Sequence, residues 1–254
     1  MKYNPTKLTI AKRKLNRWKE ISQYNKIIPS PKKNEIKAYQ LDCNLKRIYS
    51  VSDNSLSKVL SMGGRFYGAN YQQLNKDERK LILIDFERTV ELDYSALHIR
   101  MLYNSKGINY DGDPYQIPDY PEEARGIIKK ALNIMINSKN FVQAKCSLRN
   151  TINKDEEMKR IWEECIKKSY YAFLSDLKTF HSAIAEFFHS DKGIELQNYD
   201  SNIAFEIMKQ LMKKKILVLI IHDSFIVQRR HKKTLKKVMI NQYKKIFHYP
   251  PVIK

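Results

Sequence analysis

With 254 residues and a mass of 30.1 kDa, the chain can form one large domain or two small ones with a real core. Its 43% hydrophobic and 29% charged residues, with only 7 Gly and 8 Pro, exclude collagen-like, low-complexity and wholly disordered classes. The net charge of +20 sits at the chain ends: residues 1–60 carry +10 and residues 209–254 carry +12, leaving −2 between them. A basic surface built from both ends suits a polyanionic partner, although a lysine-rich composition would decorate any solvated face in the same way. Cys43, Cys146 and Cys165 are odd in number, and none forms a CxxC pair. Neither a disulfide framework nor a thiolate zinc site is expected, and a reducing, cytoplasmic setting is. No apolar leader opens the chain, and the longest strongly apolar run, Ile216 to Ile221, is far too short for a bilayer, so no membrane partner is expected.

In chain order, Leu8, Ala11, Leu15, Trp18 and Ile21 mark an amphipathic basic helix, broken at Pro29-Ser30-Pro31. Ser52 to Leu60 reads as a short helix ending at Gly63-Gly64. Thr89 to Asp93 reads as a strand running straight into a helical stretch, Tyr94 to Asn104, which Gly107 closes. Asn109 to Tyr120, with Gly112, Pro114 and Pro118, is a loop. Pro121-Glu122-Glu123 then opens a helix whose apolar side is Ile127, Ile128, Ala131, Leu132, Met135 and Ile136. More helix is expected to about residue 190 and again from Asp200 to Lys213. Ile216–Ile221 and Phe225–Gln228 flank His222-Asp223-Ser224 as a hairpin. A last basic helix spans about Lys232 to Phe247, before Pro250-Pro251. Helices outnumber strands and do not alternate with them, which predicts an α+β fold.

Two aspartates stand at unusual positions. Asp93 ends an apolar strand, and Asp223 sits at the tip of an apolar hairpin in a tail otherwise free of acids from residue 209 onward. An acid among lysines is ordinarily a counter-ion, but one at the end of a buried strand is costly unless it is paired. If the two strands pair, the carboxylates could together hold two divalent cations about 4 Å apart, the arrangement in-line phosphoryl transfer needs. Hard oxygen donors suit Mg2+, with Mn2+ as a substitute.

These residues carry a family resemblance. Asp93-Tyr94-Ser95-Ala96-Leu97-His98-Ile99-Arg100-Met101-Leu102 resembles motif A of family-A DNA polymerases, usually DYSQIELRIL. Ile221-His222-Asp223-Ser224-Phe225 resembles motif C, which reads VHDE in bacterial family-A enzymes and IHDSF in single-subunit phage-type RNA polymerases. Arg125 and Lys129 have the RxxxK spacing of motif B, and Gly64-Arg65 followed by Gln72 is similar to the GR…Q element before motif A. The four elements occur in the family's order over residues 63–235. The resemblance implies an antiparallel-sheet polymerase palm with helical fingers, acting on a nucleic-acid template and primer with nucleoside triphosphates. Asp93, Asp223 and the Tyr94 carbonyl would be the metal ligands, and His222 would orient the motif C turn and contact the primer end. Arg125, Lys129, His98, Asn133, Asn137 and Tyr94 would line the nucleotide side. Arg65, Gln72 and Arg100 would meet the nucleic acid. Independently of the resemblance, Arg125 and Lys129 lie four residues apart on one helix face, as a polyphosphate site requires; a solvated basic face has the same look.

The departures are specific. His98 stands where family-A DNA polymerases place the glutamate that excludes a ribose 2′-hydroxyl, and Asn137 and Ser138 stand where an aromatic and a glycine follow motif B. The division implied is a basic N-terminal element (1–62), palm with motif A (63–111), fingers (112–192) and palm with motif C (193–254). Sixty residues cannot hold both a thumb and an exonuclease, so the basic ends or an accessory nucleic-acid-binding protein would hold the duplex. A phage-type RNA polymerase relative, a template-independent oligonucleotide synthase and a catalytically silent nucleic-acid-binding module remain alternatives.

Overall fold

The computed structural model describes residues 27–28, 45–49 and 61–254. The helices expected from Leu8 to Ile21 and from Ser52 to Leu60, and with them most of the 1–62 element, lie outside the described residues. Along the described chain run β1 (Ile27–Ile28), β2 (Lys46–Tyr49), β3 (Gly63–Tyr67), α1 (Lys76–Arg79), β4 (Leu83–Ile84), β5 (Glu87–Asp93), α2 (Leu97–Ser105), α3 (Arg125–Asn137), α4 (Phe141–Asn153), α5 (Glu156–Ile161), α6 (Tyr170–Phe180), α7 (Gly193–Lys213), β6 (Leu219–Ile221), β7 (Ser224–Gln228) and α8 (Lys232–Phe247). The fold is α+β. Its residues divide into two units, 1–97 with 197–254 and 98–196.

The first unit contains an antiparallel sheet of order β1-β4-β5-β7-β6 and a two-stranded sheet, β2-β3. The expected hairpin is present, with Ile221 paired to Ser224 across a two-residue turn, His222-Asp223. β7 is buried along its whole length, as befits a central strand rich in branched and aromatic residues. α8 covers one face of the sheet with Leu235, Val238, Met239, Tyr243 and Phe247. Tyr94 points into that layer: its ring meets Phe225 and Tyr243, and its hydroxyl donates to the Met239 carbonyl at 2.7 Å. Side chains alternate along a strand, so Glu91 and Asp93 face the other way. Gly64 is held at φ +89°, and a Cβ there would come within 2.8 Å of the Tyr49 ring, so glycine is required.

The second unit is helical. α3 buries the six apolar residues expected of it, packed with Leu148 and Ile152 of α4 and Phe173, Leu174 and Leu177 of α6. The unit boundaries fall at 97/98 and 196/197, whereas the sequence suggested 111/112 and 192/193. The loop 109–120 stays with this unit because two side chains pin it. Arg100 donates to the carbonyls of Tyr110 and Gly112, and His181 bonds the Pro114 carbonyl at 2.9 Å. Three elements differ from expectation. β6 takes only Leu219–Ile221 of the expected Ile216–Ile221. The helix α7 begins seven residues before Asp200, at Gly193, where a Cβ would strike the Asn137 amide. α2 starts at Leu97 rather than Tyr94, because Tyr94 is still paired as strand and Ala96 turns at φ +52°.

Candidate functional site

β5 and β7 pair antiparallel, with Leu92 opposite Phe225 and Asp93 opposite Ser224. The Tyr94 amide donates to the Asp223 carbonyl at 3.3 Å, so the last rung of the ladder joins the residue after one aspartate to the other aspartate itself. The Asp93–Ser224 pair is then a narrow one, of the kind that brings Cα atoms to about 4.5 Å. On its other side Asp93 exchanges both main-chain bonds with Lys254, donating at 3.1 Å and accepting at 3.0 Å, while the Ser95 amide donates to the Val252 carbonyl at 2.9 Å. The end of β5 is thus fixed from both edges. Asp93 is exposed and Asp223 half-buried.

Neighbouring side chains lock this end of the sheet. Glu91, on the Asp93 face, accepts a fork from Arg79 at 2.9 and 3.0 Å and a short bond from the Ser224 hydroxyl. His222 occupies the turn at φ +55° and sets its ring edge-on to Tyr67, with centroids 5.5 Å apart. Burial, and the Arg65 guanidinium beside it, push the imidazole below its ordinary pKa. His222 is therefore neutral at neutral pH, and its Nδ1 has no partner among the described residues.

The remaining candidates have definite places. The Arg65 Nη2 donates to Asp200 at 2.5 Å, and its Nε to the same carboxylate at 3.1 Å; the Asp200 side chain is 1% exposed. Gln72 spends both amide hydrogens inside the fold, on the Phe66 carbonyl at 2.9 Å and the Ile220 carbonyl at 3.0 Å. In the second unit, Arg100 is 7% exposed and holds the loop described above. Arg125, Lys129, Asn133 and Asn137 recur every fourth residue along one side of α3. Lys129, Asn133 and Asn137 are exposed there. Arg125 grips Asp113 at 2.7 and 2.9 Å and lies over the Tyr115 ring, which Lys129 also approaches. Asn137 donates to the Asn133 carbonyl at 2.7 Å. His98, half-buried, lies in α2.

The structure therefore brings together Asp93, the Tyr94 backbone, His222 and Asp223 in the first unit, with Arg65 beside the turn. It sets Arg125, Lys129, Asn133 and Asn137 along one helix of the second unit. Sequence reasoning missed Glu91, Tyr67 and Asp200 as neighbours, because their roles depend on partners 133 to 155 residues away along the chain. No local signal marks them: Asp200 stands among Asn198, Tyr199, Ser201 and Asn202 and reads as an ordinary acid at a helix start.

Among the described residues, no group of three or more His, Cys, Asp or Glu side chains could hold a metal ion, and no helix is long and apolar enough to cross a membrane. No protein-family model matches the sequence, and no curated protein matches it.

Proposed function

We propose that the chain is a compact nucleotidyltransferase: a template-directed nucleic-acid polymerase of family-A type that extends a 3′-hydroxyl. The observation that carries this reading is the pairing of β5 with β7. It brings the main chain of Asp93 and that of Asp223 to the same end of the sheet, each in the motif that resembles a polymerase metal-binding motif.

The donor set fits Mg2+. Two carboxylates and a backbone carbonyl are hard oxygens, and Mg2+ usually takes one or two carboxylates and completes its shell with water and substrate phosphate. Asp93, Asp223 and the Tyr94 carbonyl would hold it; a strand residue's N–H and C=O point to the same neighbour, so that carbonyl faces the Asp223 turn. When bound, the metal supplies Lewis-acid stabilisation of charge on the phosphoryl group and acidifies the attacking hydroxyl.

The chain's own residues do the rest. Glu91, clamped by Arg79 and Ser224, holds the strand end rigid so that Asp93 does not wander; positioning of this kind is where much of the rate comes from. Neutral His222 would orient the motif C turn and contact the primer end without adding positive charge. Arg125 and Lys129 provide the cationic pair for triphosphate oxygens, Arg125 being pre-oriented by Asp113. In the overall reaction the 3′-oxygen bonds the α-phosphorus, the α–β anhydride breaks, pyrophosphate leaves, and the hydroxyl proton passes to water.

The test is incorporation of labelled nucleotide with Mg2+ or Mn2+, with deoxy- and ribonucleotide sets in parallel, with and without template and primer. Metal-dependent extension of a primer by the templated nucleotide supports the reading. Incorporation indifferent to template favours an oligonucleotide synthase. None at all, from a folded chain that binds primer–template, favours a silent binding module.

A further inference from the structure

We propose that the outer face of α8, continued by Arg229-Arg230 and Phe86, is a track for a nucleic-acid strand, separate from the carboxylate end of the sheet. α8 turns Leu235, Val238, Met239 and Tyr243 to the sheet, on the face opposite Asp93. Its lysines, Lys232, Lys233, Lys236, Lys237, Lys244 and Lys245, are all exposed. None of them has an ion-pair partner among the described residues, and from Lys232 to the last residue there is no acid. Lysines elsewhere, such as Lys80, Lys168 and Lys192, do find carboxylates. Lys232 with Lys236, and Lys233 with Lys237, are like charges four residues apart, which destabilise a helix by a few tenths of a kcal/mol each. A polyanion reverses that penalty.

Lys233, Lys236, Lys237, Ile240 and Asn241 lie together on this side of the helix around a shallow, open depression. Beyond the N-terminal end of the helix, Arg230 bonds Glu87, which carries the basic strip to the β4–β5 turn. That turn is Asp85-Phe86, at φ +51° and +63°. Turns with positive φ at both central residues ordinarily take Asn-Gly or Asp-Gly. Here a phenylalanine holds the glycine position and is 69% exposed. An aromatic kept in a strained conformation and presented to solvent is a candidate contact residue. Cations at helical spacing beside an exposed ring match what a single strand presents, phosphates and an unstacked base. This inference does not rest on the catalytic reading, since a chain that incorporates nothing can still bind through this face.

The test is fluorescence anisotropy of the full chain with a labelled single-stranded oligonucleotide over a salt series. Lys233→Gln/Lys236→Gln/Lys237→Gln should weaken binding roughly tenfold or more at low salt and lower the log–log salt slope by about 2, at about 0.7 for each phosphate that a lysine no longer neutralises. Phe86→Gly should keep or raise Tm, because glycine is unstrained there, yet weaken single-strand binding by roughly fivefold or more. Unchanged affinity and slope in the triple variant would overturn the proposal. So would variants that bind oligonucleotide normally but lose binding to phosphatidylserine vesicles, which would make this a membrane-facing surface.

Discussion

The Tyr94 amide donates to the Asp223 carbonyl at 3.3 Å, which ties the strand ending in Asp93 to the turn carrying the second aspartate. Residues 129 positions apart in sequence, Tyr94 and Asp223, thereby share the last rung of one ladder. Lys254 bonds the opposite edge of Asp93, so neither aspartate can shift without breaking main-chain pairing.

The Tyr94 side chain and backbone have separable jobs. Its phenol is buried, held well above its ordinary pKa by that burial, and donates to the Met239 carbonyl. Tyr94→Phe should cost about 1 kcal/mol of stability, one buried hydrogen bond to a helix carbonyl that keeps its intrahelical partner. It should leave incorporation unchanged below the melting range, since the backbone carbonyl remains. Denaturant melts alongside activity check this; loss of activity without loss of stability would contradict it.

Arg65 and Asp200 form a pair in which the acid is the more deeply buried member. Arg65→Met should therefore destabilise by about 3 kcal/mol, because it takes the two-bond cationic partner from a buried carboxylate. Asp200→Asn should cost less, since Arg65 keeps access to water. A double variant, Arg65→Met/Asp200→Leu, should recover much of the loss. Equal effects of the two single changes would argue that the pair is not the determinant.

The helical unit should respond to acid through His181. It is fully buried, accepts from the Tyr103 hydroxyl at Nδ1 and donates from Nε2 to the Pro114 carbonyl, and burial pushes its pKa down to about 4. The unfolded chain takes up this proton near its ordinary value of 6.5 while the folded chain does not, so stability is whole above 6.5 and falls as pH drops toward 4. The loss is on the order of 3 kcal/mol. Melting curves of the parent and His181→Gln from pH 7.5 to 4.5 should converge at low pH; parallel curves would remove His181 as the cause.

Much of this was legible from sequence, and the limits have physical reasons. The apolar side of α3, the span of α8 and the turn at His222-Asp223 follow from periodicity and turn chemistry, which are local. The start of α7 at Gly193 is masked by the glycine itself, which reads as a helix breaker even with the cap-type Ser190 and Asp191 just before it; the glycine is there for close approach to Asn137. The occupations of Arg65, Gln72 and Arg100 were hidden too. A basic or amide side chain looks the same in sequence whether it faces a phosphate or a carbonyl of its own fold. In the structure, Gln72 bonds two carbonyls and Arg100 two more.

On the proposed reading, His98 would govern sugar choice. With a histidine where the family resemblance places a glutamate gate, and a small polar Asn137 in place of an aromatic, hydrogen-bonding groups stand where exclusion is expected. A site able to bond a hydroxyl disfavours substrates lacking it. Discrimination against ribonucleotides should be weak, and His98→Glu should restore deoxy preference, read as the ratio of kcat/KM for matched nucleotides. Strong deoxy preference in the parent, unmoved by the substitution, would rule this out.

The central claim is that Asp93 and Asp223 act together on a nucleotide. Primer extension at saturating Mg2+, by the parent, Asp93→Asn and Asp223→Asn, tests it most directly, with anisotropy on the same primer–template as a control for folding and binding. The account predicts that each substitution abolishes extension while affinity stays near that of the parent, because several kcal/mol of transition-state stabilisation are lost with either carboxylate. Extension by both variants at rates comparable to the parent would contradict it.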